Sequence, residues 1–370
     1  MEELILSKID ELKDQMIQDI IQMVQIKSVE SEASLDAPYG QGVKEALNQA
    51  LMMSQRLGFK TKNVDNHMGY AYLGESDEYI CAIGHLDVVP EGEGWKYPPY
   101  GGNIDQGMIY GRGVLDNKGP IMTCLYALKA LKDLNIPMKH QVRIIFGCDE
   151  ETGFEDLKYY LNHEKPPYLG FTPDCKYPVV YAERGRLGLR ILAPLDKLDA
   201  FFEMVNTYFL NKKNNGETLG IDYKDDEFGM LEIRQYALHY EENKACFDFA
   251  ISYPASVQAE DLIDKIKEKI HFDIKITGHY LPVYFPKESK LVKTLQKAYE
   301  YVTDLDGTPV TTTGGTYAKL MPNIVPFGPS FPGQKGIGHL PNEWMKIDDL
   351  ITNAKIYALS LYYLNREEES

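Results

Sequence analysis

QVRIIFGCDEETG, residues 141–153, is a short apolar run that ends abruptly in acid. Val142, Ile144, Ile145 and Phe146 form a nearly continuous apolar segment, the pattern of a strand buried on both faces of a parallel sheet. Asp149, Glu150 and Glu151 then follow at its exit. Upstream, YICAIGHLD (79–87) repeats the plan, with the apolar run closing on His85 and then Asp87. Between the two lies GPIMTCLYALKALKDL (119–134), an apolar-faced helix with Gly119 and Pro120 at its start. Strand, helix and strand in that order predict a three-layer α/β core.

Further out, ILSKIDELKDQMIQDIIQMVQI (5–26) and GQGVKEALNQALMMSQRLG (40–58) have apolar residues at helical spacing, the second closed by Gly58. YAYLG (70–74) and PVVYAERGRLGLRILA (178–193) read as strands. From 186 to 282 the character changes: helices are expected in 198–212 and 256–270, and strands in 228–240 and 244–254. This block reads as a small inserted α+β domain, leaving 1–185 and 283–370 as the main domain. After it come a helix over 289–304, a strand and turn over 308–315, and a C-terminal helix over 347–365. The acidic end, REEES, reads as a solvated tail.

Composition narrows the function. The chain has 370 residues, 44% hydrophobic and 25% charged, with a formal net charge of -16. Such a balance disfavours nucleic acid and anionic membrane as partners, since both need basic patches. Cys81, Cys124, Cys148, Cys175 and Cys246 are odd in number and scattered, which fits reduced thiols and a cytoplasmic location. The N-terminus has no cationic start followed by an apolar stretch, and no run of eighteen apolar residues occurs, so neither a signal peptide nor a membrane span is expected.

Chemistry gathers at the strand exits. Asp116 lies in YGRGVLDNKGP (110–120), a glycine-rich turn before a helix; Asp174 lies in FTPDCKYP (171–178) and His339 in GIGHLPNEW (336–344). Loops at the carboxyl ends of strands in an open α/β sheet meet at one crevice, so residues this far apart in sequence can converge. Imidazole nitrogens and carboxylate oxygens are ligands for zinc, or for manganese or cobalt. Taken singly, each residue has a plainer role: a lone histidine at a strand end is usually hydrogen-bonded, adjacent glutamates usually form a solvated turn, and an aspartate before Lys-Gly is usually a cap. The joint order carries the functional reading: His-x-Asp, Asp-x-Lys-Gly, Glu-Glu, Asp and a late His.

That order resembles the co-catalytic two-zinc family of dipeptidase V, the aminoacylases, glutamate carboxypeptidase and succinyl-diaminopimelate desuccinylase, with the dipeptidase V branch nearest. GHLDVVPEGEGW, IYGRGVLDNKGP, DEETG, TPDCKYPVVYAERG, GGTYAKLMPN and GHLPNEW carry the resemblance, over roughly residues 10 to 190 and 283 to 365. It implies two zinc ions bridged by Asp116, with His85 and Asp174 completing one site and Glu151 and His339 the other. Glu150 would be the general base, and Asp87 would accept the free ring N–H of His85. The implied reaction is hydrolysis of a dipeptide or of the amide of an N-acyl amino acid. In TTTGGTY (311–317), Gly314, Gly315 and Thr316 are candidates for holding the substrate carboxylate; the plainer role is a turn capped by Thr316. The resemblance also implies that 186–282 is a lid. This lid is about 100 residues shorter than that of dipeptidase V. Its early stretch LRILAPLDKLDAFFEMVNTYF lacks the histidine with which many relatives help hold the tetrahedral oxyanion, and Ser252 stands where relatives carry arginine before Tyr-Pro. His239, supplied by a second copy in a homodimer, is the candidate replacement, against a plain surface role. A metal-binding relic with little activity and a regulatory or binding role is the competing reading.

Overall fold

The computed structural model describes residues 1–334 and 336–366; most of the acidic tail, residues 367–370, lies outside them. The chain forms two compact units. The larger comprises Met1–Val180, Pro286–Val310 and the described residues from Thr316 on; the smaller comprises Tyr181–Phe285 and Thr311–Gly315.

The larger unit is organised on a six-stranded sheet of β1 (Lys60–Val64), β2 (Met68–Leu73), β3 (Tyr79–His85), β4 (Gln141–Gly147), β5 (Leu169–Thr172) and β6 (Ile324–Pro326). Their order is β1-β2-β4-β3-β5-β6. The four strands from β4 to β6 are mutually parallel, while β1 and β2 extend the sheet antiparallel at one side. Every residue of β3 is buried, so both faces of the sheet are covered there. The helices are α1 (Glu2–Val24), α2 (Gln41–Arg56), α3 (Lys118–Asp133), α4 (Glu155–His163), α5 (Lys290–Thr303) and α6 (Ile347–Leu364). Helix α3 follows the strand-to-helix reading of the sequence. It packs on β3 and β4 and against α1 and α6, and α2 packs on β1 and β2.

This topology brings the strand exits together. β3 and β4 run parallel in register, with His85 opposite Gly147, and β5 lies on the other side of β3. The carboxyl ends of three adjacent strands therefore lead into His85, the turn carrying Glu150 and Glu151, and Asp174. Gly147 is required by packing, because a Cβ there would collide with the Tyr317 hydroxyl. Gly147→Ala is expected to destabilise the protein by about 1–3 kcal/mol through overpacking. A urea midpoint equal to wild type would show that Tyr317 has room to move.

The smaller unit is an antiparallel four-stranded sheet in the order 232–241, 244–253, 185–194 and 273–280. Leu189, Ile191, Phe247, Phe249 and Ile251 on this sheet form one core with Phe201 and Leu262 of its helices Leu198–Tyr208 and Ala259–Lys269. All five cysteines are free thiols. Among the described residues no helix is long and apolar enough to cross a membrane.

Candidate metal centre

His85 ends β3 and has 0% of its surface exposed. Its Nδ1 lies 2.9 Å from the main-chain carbonyl of Asp87, where Nδ1–H donates. That bond leaves the Nε2 side of the ring facing Asp116 Oδ1, 3.1 Å away, and Asp174 Oδ2, 3.7 Å away. Asp116 turns its other oxygen, Oδ2, to His339 Nε2 at 3.1 Å. Glu151 Oε1 lies 3.0 Å from the same His339 nitrogen. Asp116 therefore stands between two imidazoles, with Asp174 beside one and Glu151 beside the other.

The ring N–H of His85 expected at the Asp87 carboxylate goes to the Asp87 main-chain carbonyl instead. The carboxylate Oδ1 of Asp87 is 3.4 Å from His85 Nδ1, longer than the main-chain bond, while Oδ2 accepts the N–H of Glu151 at 3.0 Å. Asp87 thus ties the His85 ring to the glutamate turn. Asp87→Ala is expected to lower metal affinity or turnover by about 10–100-fold, as for other outer partners of metal-ligating histidines. Unchanged values in both assays would remove Asp87 from the site.

Several supporting groups were not evident from sequence. Asn117 accepts the His85 N–H at 3.3 Å through Oδ1 and donates to the Pro173 carbonyl at 2.6 Å, joining the exits of β3 and β5. Buried Asp156 accepts the N–H groups of Cys148 and Asp149, at 2.7 and 3.0 Å, and the Tyr317 hydroxyl. Asp149 closes the next turn by accepting the Glu155 N–H at 2.9 Å. Asn117, Asp149 and Tyr317 lie inside the quoted motifs, yet nothing in their spacing names their partners.

Electrostatics tests whether cations fit this set. Burial opposes ionisation of Asp116, but His339 and His85 outweigh it and hold the carboxyl below its usual range. Burial pushes Glu150 well above the usual carboxylate range, and Asp174, Glu151 and Asp116 add to the shift. Burial raises Glu151 as well. His339 is pushed up to about 10 by Asp116 and Glu151. Four carboxylates thus crowd two imidazoles and compete for protons, the imbalance that divalent cations relieve. Asp87 Oδ1 is also buried without a hydrogen-bond partner. Ligand atoms of His85, Glu150 and Asp174, and of His85, Asp116 and Glu151, lie within 4.8 Å of one another. The residues fit a metal site.

The remaining candidates lie elsewhere in the chain. Gly314 and Gly315 are exposed in the smaller unit. Thr316 is buried, and its hydroxyl accepts the Ala318 N–H as a cap. His239 sits on strand 232–241 opposite Cys246. With Glu241 and Cys246 it forms a third group of metal-ligand type, but Arg190 pairs with both Glu241 and Asp248 there. That arrangement is an ion-pair network already supplied with a cation.

Comparison with known proteins adds to this geometry. The model of the family described as Peptidase family M20/M25/M40 matches residues 81–362. YtjP of Bacillus subtilis (strain 168) is 29% identical, over 95% of this chain and 97% of its own length. The Beta-Ala-Xaa dipeptidase of Lactobacillus delbrueckii subsp. lactis is also 29% identical, over 96% and 97%. Its alignment runs over 457 residues, beyond the 370 of this chain, so that relative carries residues absent here. Among solved structures, human carnosine dipeptidase 1 superposes with a TM-score of 0.76 at 17% identity, covering 98% of both chains, and so shares the fold.

Proposed function

The chain belongs to peptidase family M20/M25/M40 and is a hydrolase of peptide bonds, and from that premise we propose that it cleaves dipeptides or N-acyl amino acids using two divalent metal ions. The observation that carries the proposal is Asp116, whose two carboxylate oxygens each face a different histidine at 3.1 Å. A carboxylate so placed is suited to bridging two ions, with His85 and Asp174 completing one site and Glu151 and His339 the other. Zinc fits this nitrogen and oxygen set, as do manganese and cobalt.

When bound, the metal pair would supply Lewis-acid activation of a water and of the scissile carbonyl. The protein's own residues do the rest. Glu150 takes the proton from the attacking water and returns it to the leaving amine, a role that suits a carboxyl whose proton affinity is raised. Asp87 and the Asp87 carbonyl hold the His85 ring in the tautomer that leaves Nε2 available. Residues 186–282 serve as the lid, and Gly314, Gly315 and Thr316 offer main-chain groups to the substrate carboxylate. The Beta-Ala-Xaa dipeptidase among the relatives supports a dipeptide as substrate.

The test is a screen of dipeptides and N-acyl amino acids, each with zinc or manganese added to metal-stripped protein. Turnover of at least one class that is lost on chelation and restored by metal is expected. A protein that binds metal and cleaves neither class would instead fit the relic reading. The role of His239 has a separate check: it requires a dimer in solution and a large loss of turnover in His239→Ala with metal retained.

A further inference from the structure

We propose that Glu343 and Arg112 form a buried clamp that sets the relative positions of the metal-ligand loops, making both of them positioning residues. The inference rests on the two-metal reading above but concerns groups that touch neither ion nor substrate.

Glu343 lies four residues after His339 and has 0% of its surface exposed. Its Oε1 accepts three main-chain N–H groups, from Gly113 at 3.0 Å, Leu115 at 2.9 Å and Asp116 at 3.1 Å. Its own carbonyl accepts the Gly111 N–H at 3.0 Å. One side chain therefore binds the loop that presents Asp116 to the loop that presents His339. Its second oxygen, Oε2, accepts from Arg112 Nη1 at 2.7 Å. Arg112 is 1% exposed. Its Nη1 also donates to the Leu340 carbonyl, beside His339, at 3.3 Å. Its Nη2 donates at 3.3 Å to the carbonyls of both Pro90 and Glu91, in the loop that leaves His85 and Asp87. Trp95 of that loop covers the guanidinium, 5.3 Å from ring centre to Cζ. Three ligand-bearing loops thus meet on one ion pair.

The pair has an ordinary alternative role, that of stabilising the fold. Buried ion pairs are poor devices for stability alone, since well-packed apolar groups often do as well. What an apolar pair cannot do is accept three convergent N–H groups and fix main chain. His339 needs such support. It is 54% exposed at its side chain and its φ is 66°, the left-handed region that non-glycine residues seldom adopt. The loop is anchored where Glu343 and Arg112 hold Leu340 and Gly111. An ion then meets Asp116 and His339 already in place, which spares the ordering cost at binding.

The experiment uses the full chain, stripped of metal and titrated with zinc against a chromogenic chelator. Hydrogen exchange is followed in the metal-free state. Glu343→Gln keeps an acceptor oxygen but loses the charge facing Arg112; Glu343→Ala loses both. Glu164→Gln, in the partly buried Arg143–Glu164 pair, controls for a general loss of stability. Zinc affinity is expected to fall about tenfold in Glu343→Gln and about 100-fold in Glu343→Ala, the range of outer-partner effects. Amide protection at Gly113, Leu115 and Asp116 should fall in parallel, while Glu164→Gln stays within twofold of wild type in zinc affinity. Zinc affinity within twofold of wild type in Glu343→Gln overturns the proposal, as does an equal loss in Glu164→Gln. Should the alanine variant not fold, the glutamine variant decides. A wild-type chain that takes up zinc but cleaves no substrate defeats the functional reading and leaves this one standing.

Discussion

Glu150→Gln is expected to lower kcat by about 10²–10⁴-fold while metal content stays at the wild-type level. Glutamine has nearly the shape of glutamate, so the turn held by Asp149 and Asp156 has no reason to move. It cannot accept a proton from water or deliver one to an amine. Glu150 stands among Asp174, Glu151 and Asp116, which together with burial raise its affinity for a proton. The neighbouring substitution separates the roles. Glu151 lies 3.0 Å from His339, so Glu151→Gln should lose metal as well as turnover. Elemental analysis beside steady-state kinetics on the best dipeptide from the screen reads both effects. If Glu150→Gln loses metal and Glu151→Gln keeps it, the two adjacent glutamates have exchanged roles.

Asp116→Ala should be more damaging, because in the proposed centre one residue serves both sites. Hydrolysis is expected to fall by more than about 10³-fold, with both ions weakened together rather than one alone. The fold should survive, since the Asp116 main chain remains held by its N–H to Glu343. A far-ultraviolet circular dichroism spectrum like that of wild type, with zinc content near zero, is the expected pair of results. Retention of one tightly bound ion at full occupancy would show that Asp116 belongs to a single site.

Much of this was legible in the chain because the chemistry sits where patterns end. The apolar runs of 79–85 and 141–147 predicted buried strands, and the structure places them side by side in parallel with His85 at one exit. Asp116, Glu150, Glu151, Asp174 and His339 could be named because each stands in a distinctive motif. Strand β1, KTKNV, was not read as a strand; it is an edge strand with mostly exposed side chains and lacks apolar alternation. Helix α4, over 155–163, is short and was missed for a similar lack of a long apolar stripe. The supporting polar groups were hidden for another reason. Asn117, Arg112, Glu343 and Asp156 act through partners up to 231 residues away, and no spacing encodes such pairs. Asp87 shows the limit in one residue: its place beside His85 was visible from the sequence, but its bond to the Glu151 N–H depends on how β3 and β4 align.

The central claim is that Asp116 joins two metal ions. Crystals of the metal-stripped protein reloaded with zinc, measured at the zinc absorption edge, test it most directly. Two anomalous peaks about 3.5–4 Å apart are predicted, one beside each oxygen of the Asp116 carboxylate, with His85 and Asp174 at the first and Glu151 and His339 at the second. A single peak, or two peaks that Asp116 does not separate, would contradict it.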